Sequence, residues 1–231
     1  MKKRIGILGG ISLVSTIKYF KTITDLYFEK FKDYYYPEII IYSLDFQRFT
    51  DMENEKRTKE YINYIVSSNT ALEKAGADFI IMAANSPHSV FEEVKKLSKL
   101  PIISIVDATA KYALKNNLKK TLLTGIKYTM QSDFYPKGFE KSSLEVVKPG
   151  EEHQTTINEI IFTELVIDKF LDESRKQFVE IISSYDVDGV ILACTELPLL
   201  LDQNDTKIKL LNSALLHCQA ALEFSLSLDE Q

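Results

Sequence analysis

The chain has 231 residues, 45% of them hydrophobic, enough apolar material for one large domain or two small ones with a real core. Its formal net charge is −5 and its Lys and Arg residues are scattered rather than gathered into a stripe, so the electrostatic footprint of a nucleic-acid binder is absent. No apolar run reaches the roughly 18 residues of a membrane span, and Met1-Lys2-Lys3-Arg4 leads into a strand-like segment rather than a signal-peptide core, which reads as a cytoplasmic protein with no membrane partner.

Taken in order, short β-branched runs alternate with longer segments of helical periodicity, the pattern of parallel sheets covered by helices on both faces. A strand over Arg4–Leu8 runs into Gly9-Gly10-Ile11-Ser12 and then a helix over Ser15–Phe31. That turn either presents backbone N–H groups and Ser12 to an anion or is a plain tight turn. It lacks the G-x-G-x-x-G fingerprint and the Walker lysine, so nucleotide binding is not supported. A strand over Glu38–Leu44 leads to Asp45-Phe46 and to Arg48, which is either a guanidinium for a bidentate carboxylate contact or a solvated loop arginine. After a helix over Lys56–Ala75, the strand Asp78–Ala83 ends in Ala84-Asn85-Ser86-Pro87-His88. Pro87 suits the first position of the next helix, Pro87–Leu97, with Ser86 as its N-cap. Asn85, at a strand's carboxyl end beside a helix start, is a good ligand for a carboxylate, whereas His88 fits a structural polar role better than proton transfer.

The strand Pro101–Val106, the helix Asp107–Asn116 and the strand Lys119–Thr124 come next, the last ending in Gly125-Ile126. A strand over Leu144–Lys148, helices over Thr155–Asp168 and Asp172–Tyr185, and the strand Gly189–Ala193 lead to Cys194-Thr195-Glu196-Leu197-Pro198. Cys194 sits either where helix N–H groups and polar neighbours favour a thiolate, or simply as a small buried hydrophobe. The strand Ile208–Leu211 and the helix Ser213–Leu226 close the chain, with Cys218 assigned to packing. Two Cys and three His are too few for a disulfide framework or a Cys-rich zinc site, so no metal is expected and both thiols are free.

The two halves echo one another. Lys3-Arg4, a strand and Gly10-Ile11 recur as Lys119-Lys120, a strand and Gly125-Ile126; Ile80-Ile81-Met82-Ala83-Ala84-Asn85 recurs as Val190-Ile191-Leu192-Ala193-Cys194-Thr195. The expected fold is α/β: two similar Rossmann-like lobes, each a parallel sheet flanked by helices, related by pseudo-twofold symmetry. Residues 1–98 with 212–231 would form the first lobe and residues 99–211 the second. Open α/β sheets bind ligands at the carboxyl ends of their strands, so two such ends facing each other would line one cleft.

Four motifs, Gly6-Ile7-Leu8-Gly9-Gly10, Asn85-Ser86-Pro87-His88, Gly125-Ile126-Lys127-Tyr128-Thr129-Met130 and Cys194-Thr195-Glu196-Leu197, together resemble the aspartate/glutamate racemase family over essentially the whole chain. The resemblance implies a small amino-dicarboxylate substrate in the interlobe cleft, no cofactor and a homodimer. It also implies one thiolate that removes the α-proton and a second thiol that protonates the opposite face, while hydrogen bonds to the carboxylate stabilise the carbanion. Carried over by position, Cys194 serves one face; Asn85, Ser86, Thr129 and Thr195 hold the α-carboxylate, with Gly10, Ser12 and Glu196 nearby. Arg48 meets the side-chain carboxylate and His88 is auxiliary. The first catalytic cysteine falls at Ala84, whose methyl group carries no exchangeable proton. The family's Gly-Pro becomes Ser12-Leu13, and where many aspartate racemases carry a substrate-binding lysine in the helix near Glu164 this chain has Val166. Three readings are open: a racemase impaired or biased in direction, a one-cysteine arylmalonate-type decarboxylase, and a non-catalytic carboxylate-binding homologue.

Overall fold

Two four-stranded, all-parallel sheets organise the chain, and both have the same strand order. The computed structural model describes residues 2–227. The first sheet runs β2 (Ile39–Ser43), β1 (Ile5–Gly9), β3 (Phe79–Met82), β4 (Ile102–Ile103); the second runs β6 (Glu145–Val147), β5 (Lys120–Gly125), β7 (Gly189–Ala193), β8 (Lys209–Asn212). The central strands β1, β3 and β7 are buried at every residue, as parallel strands covered on both faces must be, and this explains why they read as unbroken apolar runs. The chain divides into two compact units: residues up to Ser104 with those from His217 onward, and Ile105 to Leu216. Both borders fall a few residues later than the sequence suggested. The reason is that Ile102-Ile103 pairs with β3 and Lys209–Asn212 pairs with β7, so each edge strand completes its sheet before the chain leaves it.

The internal echo has a hydrogen-bonding basis. Asp78, just before β3, accepts the Arg4 N–H at 2.6 Å and donates its own N–H to Arg4 O. Asp188, just before β7, accepts the N–H groups of Lys119 and Lys120 at 2.8 and 2.9 Å and donates its own to Lys120 O. Each half therefore uses one aspartate to lock the register of its two central strands, Ile5 with Phe79 and Thr121 with Gly189.

The helices are α1 (Leu13–Phe31), α2 (Phe46–Asn54), α3 (Thr58–Lys74), α4 (Phe91–Leu97), α5 (Ile105–Lys115), α6 (Lys127–Gln131), α7 (Phe134–Glu140), α8 (Glu151–Thr163), α9 (Asp172–Ser183), α10 (Leu197–Leu200) and α11 (Ser213–Leu226). None of the described helices is long and apolar enough to cross a membrane. Three local differences from the sequence reading bear on the strand-end residues. The segment after Asp45 is a helix, because the Asp45 carboxylate accepts the Arg48 N–H and so caps α2, while Phe49 and Met52 are buried on one face. The helix expected over Pro87–Leu97 begins as a 3-10 turn, Ser86–Val90, before α4. The helix expected to reach Asp168 stops at Thr163 and gives way to a 3-10 turn over Leu165–Ile167.

In the first unit α11 is tied down by His217, whose Nε2 lies 2.9 Å from Ile103 O and whose Nδ1 lies 3.0 Å from the Tyr19 hydroxyl of α1. The ring is buried, and burial pushes its pKa down to about 4 from an ordinary 6.5. His88, edge-on to it at 5.7 Å between ring centroids, is lowered by burial as well. Because the folded value lies below the unfolded one, the stability from a neutral His217 is fully present above pH 6.5 and is lost as pH falls towards 4. The loss is about 2 kcal/mol at pH 5. Urea denaturation at pH 7.5 and pH 5 is expected to show at least this fall in wild-type protein and a flatter profile in His217→Gln; equal slopes in the two proteins would refute the assignment.

Candidate active site

In both sheets the chain runs outward from a central strand to one edge and then returns to the other side, so β1 and β3, and likewise β5 and β7, flank a topological switch point where crevices form. The candidate residues fall into two sets at these strand ends, one set in each unit.

The first set is built around Gly10. Its φ of +83° suits glycine, and a Cβ there would lie 2.4 Å from Leu44 N, so the residue allows β1 to turn against the end of β2. The Gly10 N–H donates to Thr16 Oγ1 at 2.8 Å, and the same hydroxyl donates to Ser12 O. Ser12 is the N-cap of α1, accepting the Ser15 N–H. Ser15 in turn donates to Ala83 O at 2.6 Å, which brings the start of α1 against the end of β3. Ala84, Asn85 and Ser86 come next there, the last two buried. Ser86 does not cap the next helix as its sequence position suggested; Asn85 occupies the cap position, and Ser86 hydrogen-bonds the carboxylate of Glu53. His88 is buried, stacked on Phe91 and held with Nδ1 3.1 Å from Ala84 O, so its ring props the strand end. Arg48 is exposed, its guanidinium 4.6 Å from the Tyr64 ring centre.

Glu53 is the residue in this set that sequence reasoning missed. It lies at the end of α2, receives the Tyr61 hydroxyl at 3.0 Å, and burial raises its pKa despite the hydrogen bonds from Ser86 and Tyr61. The signal was present in Asp45 as a cap and in the spacing of Phe49 and Met52.

The second set centres on Cys194. The register pairs Gly125 with Ala193, so the turn that carries Ile126 and α6 starts beside the turn that carries Cys194. Cys194 is partly buried and donates from Sγ to Glu196 Oε2 at 3.0 Å, while Thr195 donates to the same oxygen at 2.8 Å. Its thiol pKa is raised well above the ordinary value, first by burial and then by the Glu196 charge and hydrogen bond; the backbone N–H groups of Glu196 and Leu197 pull the other way without prevailing. Of the two sequence readings of Cys194, a favoured thiolate or a small buried hydrophobe, the local electrostatics oppose the first: helix-start N–H groups do reach the sulfur, but burial and a carboxylate at hydrogen-bond distance outweigh them and favour the thiol. Glu196, placed by sequence among the substrate ligands, is engaged by its two neighbours. Thr129 on α6 is completely buried, and its Oγ1 has no hydrogen-bond partner. Cys218 is buried in α11 with a thiol pKa raised by burial, as a packing residue would be.

The family model described as Asp/Glu/Hydantoin racemase matches residues 8–221. Among curated proteins the chain is similar to the broad specificity amino-acid racemase RacX of Bacillus subtilis (strain 168), 28% identical over 219 residues that cover 91% of this chain and 92% of the relative. Among solved structures it is similar to an aspartate racemase homologue from Pyrococcus horikoshii OT3, 40% identical with a TM-score of 0.89, covering 98% of this chain and 100% of that one. The fold is shared with the Picrophilus torridus aspartate racemase at a TM-score of 0.77 and 24% identity, covering 96% of this chain and 94% of that one. Two parallel α/β sheets with matching strand-end turns, and a family match that spans nearly their whole length, show that this chain belongs to the Asp/Glu/hydantoin racemase family.

Proposed function

We propose that the chain is a cofactor-independent amino-acid racemase in which Cys194 exchanges the α-proton on one face of the substrate. The observation that supports this most is the thiol–carboxylate pair at the end of β7, Sγ 3.0 Å from Glu196 Oε2, in a chain of this family. In this scheme both strand-end sets act on one substrate. Asn85, Ser86, Thr129 and Thr195 bind the α-carboxylate, with the Gly10 turn and Ser12 forming the adjoining wall. The deprotonated Cys194 takes the α-hydrogen as a proton, and the electron pair left on the α-carbon spreads into the carboxylate, whose hydrogen bonds tighten as charge develops. The thiol then returns a proton to the same face, or water on the Ala84 side supplies one to the opposite face and inverts the centre. Ala84 stands where the family's first catalytic cysteine would be, so inversion is slower than exchange. His88 acts as a positioning residue through Ala84 O.

In heavy water, wild-type protein is expected to wash deuterium into the α-position of at least one amino acid faster than it inverts it. Cys194→Ala is expected to cut that exchange by about 10² to 10⁴. Exchange that survives Cys194→Ala removes the mechanism. Carbon dioxide release from an arylmalonate, with no exchange of any amino acid, establishes instead the one-cysteine decarboxylase, a reading that the protonated resting thiol also suits.

The pH dependence has a definite sign. Removal of the α-proton needs the thiolate, so the exchange rate rises with pH towards the elevated thiol pKa. Glu196→Gln removes the largest charged contribution to that elevation, and the rising limb is expected to move to lower pH. A limb that stays in place, or moves to higher pH, contradicts the role given to Glu196.

The homodimer belongs to the same proposal, and α1 supplies a surface for it. Leu13, Val14, Ile17 and Phe20 are 44 to 66% exposed on consecutive turns of that helix, an apolar stripe that a second copy would cover. Sedimentation is expected to show a dimer for the wild type and a monomer for Ile17→Glu; a monomeric wild type, or a dimer indifferent to the substitution, would place the contact elsewhere or nowhere.

A further inference from the structure

The carboxyl group of Glu53 is withdrawn from water with no cation beside it. It lies half-buried at the end of α2, one turn after Phe49, whose ring centre is 4.8 Å from that of Tyr61 on α3. That ring contact brings the Tyr61 hydroxyl to Glu53 Oε1, 3.0 Å away. Phe49, Met52 and Tyr61 share one core cluster with Met82, the last residue of β3, and Ala84 packs on the same cluster. Two residues beyond Ala84, the Ser86 hydroxyl hydrogen-bonds the Glu53 carboxyl group itself. A side-chain contact therefore places Glu53 in the strand-end set of the first unit, against a residue assigned to the substrate.

Hydroxyl donors offset only part of the cost of burying a carboxylate, and burial wins: the Glu53 pKa is raised. Basic side chains close to it in the chain are engaged elsewhere or point into solvent. Arg57 Nε, buried and without a well-formed hydrogen bond, lies 2.8 Å from Glu55 Oε2, while Arg57 Nη1 donates to Glu60 Oε2 at 3.0 Å. Arg48 lies over the Tyr64 ring and Lys56 is exposed. Among the described residues Glu53 has no ion-pair partner. An ionised carboxylate offers about four acceptor positions, and Tyr61 and Ser86 occupy only part of that capacity.

Of the groups that every α-amino acid carries, the α-carboxylate and the α-hydrogen have partners in the proposed scheme and the α-ammonium has none. Ser86 has a single O–H, and with that proton given to Glu53 its oxygen has only lone pairs to offer. Two acceptors side by side suit the three N–H donors of an ammonium and disfavour a carboxylate. Asn85, whose amide carries N–H donors, suits the carboxylate.

We propose that Glu53 is a specificity-determining residue that receives the α-ammonium of the substrate together with Ser86 Oγ, and so selects α-amino acids over α-hydroxy acids of the same skeleton. The assignment rests on the racemase reading for the placement of the substrate at Asn85 and Ser86. Ser86 then meets the α-carboxylate through its backbone N–H, next to Asn85. An ammonium held by a carboxylate stays protonated, and its charge beside the α-carbon stabilises the carbanion that forms when Cys194 takes the α-proton.

The test compares each amino acid with the analogue that has a hydroxyl in place of the ammonium. Titration calorimetry on Cys194→Ala and on Cys194→Ala/Glu53→Gln uses both enantiomers of alanine and lactate, aspartate and malate, and glutamate and 2-hydroxyglutarate. Exchange of α-deuterium with the same amino acids is followed in proteins that keep the thiol. The expected result is that at least one amino acid binds more tightly than its hydroxy analogue, that Glu53→Gln weakens its binding about 10- to 100-fold, and that the hydroxy acid binds Glu53→Gln as well as before or better. For exchange, Glu53→Gln lowers kcat/KM. Glutamine keeps the shape of the side chain and still accepts from Tyr61 and Ser86, so the thermal stability of the free protein is expected to stay level or rise. A fall in stability with equal weakening of amino and hydroxy acids marks Glu53 as structural and overturns the proposal. Amino acids bound equally well by Glu53→Gln, with exchange that still depends on Cys194, overturn the role of Glu53 and leave the racemase reading standing. Amino acids bound through Glu53 with no exchange of any α-proton sink the racemase reading and keep the subsite, and a protein that binds none of these amino acids sinks both.

Discussion

Everything at the two strand-end sets depends on the parallel pairing of β1 with β3 and of β5 with β7. Parallel pairs cannot be joined by a tight turn, so each strand must be followed by a crossover, and the carboxyl ends of both strands of a pair emerge side by side at one edge. Asp78 and Asp188 secure this pairing at the opposite edge by taking up the N–H groups of Arg4, just before β1, and of Lys119 and Lys120 at the entry to β5. A slip of one residue would turn the side chains of a strand to the other face and carry Asn85 or Cys194 away from the neighbouring turn. Two carboxylates at the far edge of the sheets therefore set the position of groups at the near edge, at a distance of one strand length.

The chemistry of the second set is a contest over one proton. N–H groups near the thiol stabilise its anion, while burial and, after it, a neighbouring carboxylate destabilise that anion by more. A lone cysteine at an exposed helix start would be acidic; this one is held as a thiol by burial first and by Glu196 second. The consequence for the proposed reaction is an enzyme that rests with its proton in place, ready to protonate a carbanion, and that must lose that proton before it can remove one. Such a bias suits the proposed scheme, in which Ala84 has only a methyl group to offer on the other face.

The sequence made the strands and most helices legible because their signals are local. A buried parallel strand is an unbroken β-branched run, and a glycine that the backbone needs at positive φ is a glycine in the sequence. Gly10, Ser12, Asn85 and Cys194 were identifiable by their places after such runs, and Thr129 through the family resemblance. What was not legible depended on partners distant in the chain. Ser86 was read as a cap because the sequence around it looks like one, whereas its hydroxyl is taken by Glu53, which reaches it from the unrecognised helix α2. The state of the Cys194 thiol was left open between a favoured thiolate and a small buried hydrophobe, because the geometry of its hydrogen bond to Glu196, two residues on, cannot be inferred from adjacency.

Electrostatics ties the bound substrate to the proton held at Cys194. Burial first, and the Glu196 carboxylate second, raise the thiol's affinity for its proton in the free protein. The α-ammonium of an amino acid has the opposite effect: about 5 Å from the sulfur, at the effective dielectric of a partly buried site, it interacts with the thiolate by about 3 kcal/mol. In the proposed scheme the empty site therefore holds Cys194 protonated and unreactive, and binding of the substrate itself lowers the cost of the thiolate.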